Sequence, residues 1–142
     1  MAANDVVITA LNVRPTASSQ IQGGLVLGET ITNGQWVYRK ASDSKYYRAQ
    51  ADGTLEESGN GTELYWILSG GALDEIGVGV LVGNIIVGGT LVEGKVYVIS
   101  DTLGAITLAD DIIASWFTTV AGIAVNTTEL EIIGNATGYG SL

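Results

Sequence analysis

The stretch Asn33-Gly34-Gln35-Trp36-Val37-Tyr38 decides how this chain is read. Asn-Gly between apolar runs is a strong hairpin signal, because both central residues of a type I′ turn take positive φ. Behind it Trp36 and Tyr38 alternate with Val37, the two-residue period of a strand. The next run, Lys45-Tyr46-Tyr47-Arg48-Ala49-Gln50, repeats the pattern, with Tyr46 and Arg48 on one face and Tyr47 and Ala49 on the other. Asp52-Gly53 and Asn60-Gly61 are further turn signals.

Working outward, strands are expected over residues 63–68, in short buried pieces over 73–87, over 95–100, and over 105–108 after a turn at Gly104. Glycine is costly inside helices, which argues against a helix over 73–87. Residues 109–115 read as one helical turn capped by Asp110. Residues 118–125 and 129–133 read as the last strand pair, and 135–142 as a polar, Gly-rich tail. Upstream, residues 5–13 are rich in Val, Ile and Thr and read as a strand or extended arm that Pro15 stops. Residues 16–24 are small and polar and read as a loop. No segment sustains a 3.6-residue period. The expectation is an all-β fold, a small β-barrel or sandwich of short antiparallel strands. An extended N-terminal arm would span residues 1–24 and a single β domain residues 25–142.

Two internal echoes stand out. Gly28-x-Thr30-Ile31-x-x-Gly34 returns as Gly88-x-Thr90-Leu91-x-x-Gly94, and each copy is followed by an aromatic strand. Ile76-Gly77-Val78-Gly79-Val80 resembles Ala121-Gly122-Ile123-Ala124-Val125. They fit either two related β units or hairpins that converge on similar residues. The six-residue spacing of Ile76-Gly77, Val82-Gly83 and Gly88-Gly89 suggests a hexapeptide β-helix, but the register fails at Gly94 and too few turns match to stack a solenoid.

Composition narrows function. The 142 residues contain neither Cys nor His. Thiol nucleophiles, zinc-thiolate sites and imidazole general bases are therefore excluded. Hydrophobic residues make up 46% and charged residues 15%, so there is enough apolar surface to order the chain. The net charge of −9 would repel phosphate backbones and anionic lipid, so neither nucleic acid nor membrane is expected as a partner. The opening Met1-Ala2-Ala3-Asn4-Asp5 is not expected to act as a secretory signal, for want of a basic region and a long apolar core. The most apolar run, residues 76–90, is too short and too interrupted by Gly to span a bilayer.

Glu56-Glu57, Asp74-Glu75 and Asp110-Asp111 are paired acids, and Asp110 and Asp111 would be the best candidates for a hydrolase. Adjacent residues on a strand point to opposite faces, so no pair alone spans a cleft as a glycosidase requires. Asp43, Asp52, Asp101 and Asp110 could offer oxygen ligands to Ca²⁺, but no spaced ligand loop is present. Neither a metal nor a cofactor is expected, and Gly77-x-Gly79-x-x-x-Gly83 matches no phosphate-binding fingerprint. The aromatics Trp36, Tyr38, Tyr46, Tyr47, Tyr65 and Trp66 are expected in the core rather than on a sugar-stacking platform. Asn60, Asn126 and Asn135 open formal glycosylation sequons that read as chance in a chain without a secretion signal.

The order of segments carries a resemblance. The chain opens with Val6-Val7-Ile8-Thr9-Ala10-Leu11-Asn12-Val13, followed by Gly28-Glu29-Thr30-Ile31-Thr32-Asn33-Gly34-Gln35-Trp36-Val37-Tyr38 and Lys45-Tyr46-Tyr47-Arg48-Ala49. Later come Leu91-Val92-Glu93-Gly94-Lys95-Val96-Tyr97-Val98-Ile99-Ser100, Gly104-Ala105-Ile106, Val120-Ala121-Gly122-Ile123-Ala124-Val125 and Thr128-Glu129-Leu130-Glu131-Ile132-Ile133. This resembles the small head decoration, or capsid cement, proteins of bacteriophages. Tyr65-Trp66-Ile67-Leu68 is more apolar than that pattern, and residues 110–116 have no counterpart in it. The resemblance implies a non-enzymatic virion protein, made in the host cytoplasm, that binds the outer capsid surface, often as a homotrimer. Its partner would be the major capsid protein, whose subunits it would bridge. Contacts are expected from Val6, Val7, Ile8, Leu11 and Val13 toward the shell or a neighbour, and from Trp116 and Phe117 at a subunit interface. The alternative is a phage fibre or receptor-binding β module that recognises host glycans.

Overall fold

The computed structural model describes residues 4–133. Eleven strands in this span form two antiparallel sheets. They are β1 (Arg14–Pro15), β2 (Ile21–Val26), β3 (Trp36–Arg39), β4 (Tyr46–Arg48), β5 (Leu64–Ser69), β6 (Ile76–Val80), β7 (Gly83–Ile86), β8 (Val96–Ile99), β9 (Ile106–Leu108), β10 (Val120–Ala124) and β11 (Glu129–Ile132). Three single-turn 3₁₀ helices, at Ala10–Asn12, Glu56–Ser58 and Ala109–Asp111, are the only helices among the described residues. The all-β expectation is correct, and the sheets pack as a sandwich.

The two sheets repeat one plan. The five-stranded sheet runs β2-β6-β5-β3-β4, and the six-stranded sheet runs β7-β11-β10-β8-β9 with β1 added outside β7. In both, the first strand of the unit lies beside the fifth, and the second and third form an edge hairpin. The first echo falls on equivalent connections, β2 to β3 and β7 to β8. Residues 60 positions apart then play equal roles: Leu25 and Ile85, Leu27 and Val87, Ile31 and Leu91, Val37 and Tyr97, Tyr46 and Ile106 are all buried. The second echo lies on β6 and β10, which are not equivalent strands.

Alternation along the strands sorts side chains into three apolar layers. Leu25, Leu27, Ile31, Val37, Tyr46, Tyr65 and Ile67 cluster on one face of the five-stranded sheet. That sheet curls until Leu27, whose N–H donates to Glu75 O at 2.9 Å, also bridges Tyr46 at the far edge; Gly28 N–H donates to the Tyr46 carbonyl at 2.8 Å. Trp36, Tyr38, Leu64, Trp66 and Val80 point the other way, onto Ile85, Tyr97, Ile99, Ile106, Leu130 and Ile132 of the second sheet. On the outside of the second sheet, Val98 and Val120 pack beneath Trp116 with Ala51. The stacking is head to tail: the face that unit one closes around itself is the face that unit two lays against its neighbour.

Several local expectations change in this setting. At Asn33-Gly34 only Gly34 has positive φ (93°), and Gln35 N–H donates to Thr32 O, so the turn is of the type II kind and is not a two-residue hairpin. It delivers the chain from an Ile31–Gly71 bridge into β3. Residues 5–13 form no strand; Pro15 is the last residue of the two-residue β1, at a sheet edge where the missing N–H costs no ladder bond. The helical turn after residue 108 is confined to Ala109–Asp111, and its N-cap is Leu108 without a side-chain bond, not Asp110.

The extended arm is not what the structure shows. Residues 16–24 are not all loop, since β2 begins at Ile21, and a division after residue 24 falls inside that strand. Residues 4–13 lie against the body as a strap. The cause is the open seam of the second unit. Where unit one joins Gly28 directly to Tyr46, the equivalent Gly88 and Ile106 are linked through the strap: Thr9 N–H donates to Gly88 O at 2.8 Å and Val6 N–H to Ile106 O at 3.0 Å. The tail over 135–142 lies outside the described residues.

Candidate interaction surface

The strap is held by polar clamps at its start and by apolar anchors along its length. Asn4 donates from its backbone and its side chain to the two Asp111 carboxylate oxygens, at 3.0 and 2.9 Å. Asp5 accepts from Ser100 Oγ at 2.5 Å and from Thr102 Oγ1 at 2.6 Å. Val6 and Val13 are buried in the main core, and Ile8 packs against it. Two glycines make room. A Cβ on Gly89 would come 2.5 Å from the Val7 carbonyl oxygen, and one on Gly34 would come 2.5 Å from Ile8 Cγ2. Contacts that close leave no space for any side chain.

With Val6 and Ile8 turned inward Val7 faces outward, and Leu11 sits in the fully exposed 3₁₀ turn at Ala10–Asn12. Val7 is 83% exposed and Leu11 94% exposed, although both sit on backbone fixed by its neighbours. The strap is flanked by open grooves of about 450, 370 and 260 Å³. The largest is lined by Val7, Thr9, Asn12 and Arg14 on one bank and by Ile86 and Thr90 on the other. Arg14 has neither an ion pair nor a side-chain hydrogen bond among the described residues. Four other cations are engaged: Lys45 with Asp74 at 2.7 Å, Arg48 with Glu29 at 3.3 Å, Arg39 with Ser44 Oγ at 2.9 Å, and Lys40 over the Tyr47 ring at 5.0 Å. The groove thus holds an uncommitted guanidinium on a chain of net charge −9.

The expected contact residues separate into two kinds. Val7 and Leu11 are free to meet a partner, whereas Val6 and Val13 are core and Ile8 is partly covered. Trp116 is only 9% exposed and spends its ring on Val98 and Val120. Phe117 is 40% exposed, beside a backbone bond from its N–H to Ala51 O at 2.8 Å. The Asn4–Asp111 pair ties the strap to the 3₁₀ turn that leads into the Trp116 loop. Local sequence offered no sign of Arg14 in a groove or of Asp5 and Asp111 as clamps. The partners of Asp5 lie 95 and 97 residues away, and Asn4 and Asp111 are 107 apart.

The acids and aromatics of the sequence are accounted for by local structure. Glu57 accepts from Thr54 N–H, Glu75 from Ala72 N–H, and Glu56 from Ala41 N–H, each fastening a turn. The Thr107 hydroxyl, 2.6 Å from Asp111, and then the Asn4 donors hold the Asp111 carboxyl below its usual pKa. Among the described residues no group of three or more acidic side chains could hold a metal ion. Trp36, Tyr38, Tyr46, Tyr65 and Trp66 are buried; Tyr47 is half-buried, tilted against Tyr38, with its hydroxyl on Asp43. Burial, reinforced by Glu57, Glu56 and Glu29, pushes the Tyr38 hydroxyl up to about 12, and burial followed by Glu63 raises Tyr46 further. No helix among the described residues is long and apolar enough to cross a membrane. Compared with known proteins, the chain matches no family model, no curated protein and no solved structure.

Proposed function

We propose that this chain is a capsid decoration protein that binds the outer surface of a phage head, touches the major capsid protein and strengthens the shell by bridging its subunits, as a homotrimer. The observation that carries the reading is the strap. It presents Val7 and Leu11 almost fully to solvent from a fixed backbone, beside a groove with an uncommitted Arg14. Exposed apolar side chains on rigid scaffolding lose little entropy on binding. Many copies on one lattice multiply such weak contacts through effective concentration. The acidic remainder of the surface would keep unbound trimers apart. Work of this kind calls for contact and not for bond chemistry. The glycan-binding alternative calls for exposed aromatic rings, and the aromatic cluster is instead spent on the core.

The test is co-sedimentation with purified empty heads, expanded and unexpanded. Binding in fixed stoichiometry to expanded heads is expected, weakened by Val7→Asp and Leu11→Asp. Failure to bind any expanded head would overturn the reading. A monomeric mass in solution and on the head alike would remove the homotrimer.

A further inference from the structure

The sequence contains Asn-Gly twice, at Asn33-Gly34 and Asn60-Gly61. The dipeptide is prone to one spontaneous reaction. The glycine nitrogen attacks the asparagine side-chain carbonyl carbon, the side-chain amine leaves as ammonia, and a five-membered succinimide closes. Water then opens the ring at either carbonyl, leaving aspartate or an isoaspartyl linkage. The balance is one water consumed and one ammonia released, with no oxidant. Glycine favours the step because no side chain shields the nitrogen and its backbone turns freely.

The structure treats the two sites oppositely. At Asn33 both reacting groups are engaged. Gly34 is buried, its N–H donates to Ile67 O at 2.7 Å, and Asn33 Oδ1 accepts from Gly70 N–H at 2.9 Å. At Asn60 neither group is held: the Asn60 side chain and the Gly61 N–H have no hydrogen-bond partner among the described residues. Gly61 is exposed, has φ of 79°, and has open space where a Cβ would be. The turn is tethered on either side, by Asn60 N–H on Ser58 Oγ and by Thr62 Oγ1 on Arg39 O, and is free between.

We infer that Asn60 is a self-modification site, converting by succinimide to aspartate and isoaspartate in the folded protein, while Asn33 is protected by the fold. Three other asparagines are poorer. Asn12, Asn84 and Asn126 precede Val13, Ile85 and Thr127, whose branched side chains hinder attack on the following nitrogen. The product carries one more negative charge, in a turn that already holds Glu56, Glu57 and Glu63. Conversion at Asn60 therefore makes stored protein a mixture of charge forms. The inference is independent of what the chain binds.

The experiment is peptide mapping by mass spectrometry after ageing the full-length protein in mildly alkaline buffer, with a parallel sample in concentrated urea. In the folded sample Asn60 should convert while Asn33 lags by about tenfold or more, because reaction there waits for local opening. In urea the two sites should convert at similar rates. Equal rates in the folded protein, or an inert Asn60, would overturn the inference. So would an Asn33 that stays slow in urea, since the fold would then not be its protector.

Discussion

At the residue scale, burial along the strap separates binding from stability. Val7 and Leu11 touch little of their own chain. Val7→Asp and Leu11→Asp should therefore shift unfolding by no more than about 0.5 kcal/mol, read by urea denaturation, while weakening the proposed capsid contact. Asp5 is the opposite case. It takes two short hydroxyl bonds, from Ser100 and Thr102, and the other carboxylate near Ser100 Oγ, Asp101, lies farther off at 3.3 Å. Asp5→Ala should cost about 1.5–3 kcal/mol, the range for hydrogen bonds to charged groups, and should speed amide exchange at Val6 and Thr9. The neighbouring clamp responds to pH. The folded Asp111 pKa lies below its unfolded value, so its contribution is complete above the ordinary carboxylate range and is lost as pH falls through the lowered value. Strap amides, corrected for intrinsic exchange rates, should lose protection in acid, and Asp111→Asn should abolish that dependence.

At the element scale, the loop carrying Trp116 acts as the lid of the second sheet. Unit one protects the inner face of its sheet by curling Leu27 onto Tyr46. The outer face of unit two has no such device, and Val98 and Val120 would be open without the Trp116 ring. Trp116→Ala should cost about 3–5 kcal/mol in urea unfolding, as large-to-small core changes do. Phe117→Ser should cost far less, because Phe117 is already 40% exposed. An equal loss for both would show that the loop packs as one unit and that the Trp116 ring has no special part. The edge strands follow similar logic. β1 is two residues long and contains Pro15, which makes that edge a poor template for another chain.

At the scale of the whole molecule, two five-stranded units share one core, and that core contains Tyr38 on the contact between them. The folded Tyr38 pKa of about 12 lies above the ordinary tyrosine value, so folding favours its neutral form. Its contribution is complete below the ordinary value and falls as pH rises from there toward about 12. Alkaline unfolding, followed by tyrosinate absorbance and circular dichroism together, should show Tyr38 ionising with the collapse of structure and not ahead of it. Much of this architecture was legible in residues 33–38, 45–50 and 95–100, because a strand with one buried face writes its two-residue period into the chain. The repeat was legible in part, since Gly28, Thr30, Ile31 and Gly34 serve the same crossing as Gly88, Thr90, Leu91 and Gly94. By itself, then, the sequence determined the all-β class, the strand faces and the absence of imidazole and thiol chemistry, all of which depend on residues near in the chain or on composition. Only the tertiary structure decided that residues 4–13 close a seam, that Trp116 is a lid and that two identical Asn-Gly pairs differ. Each of those depends on contacts between segments far apart in the chain, where local pattern carries no information.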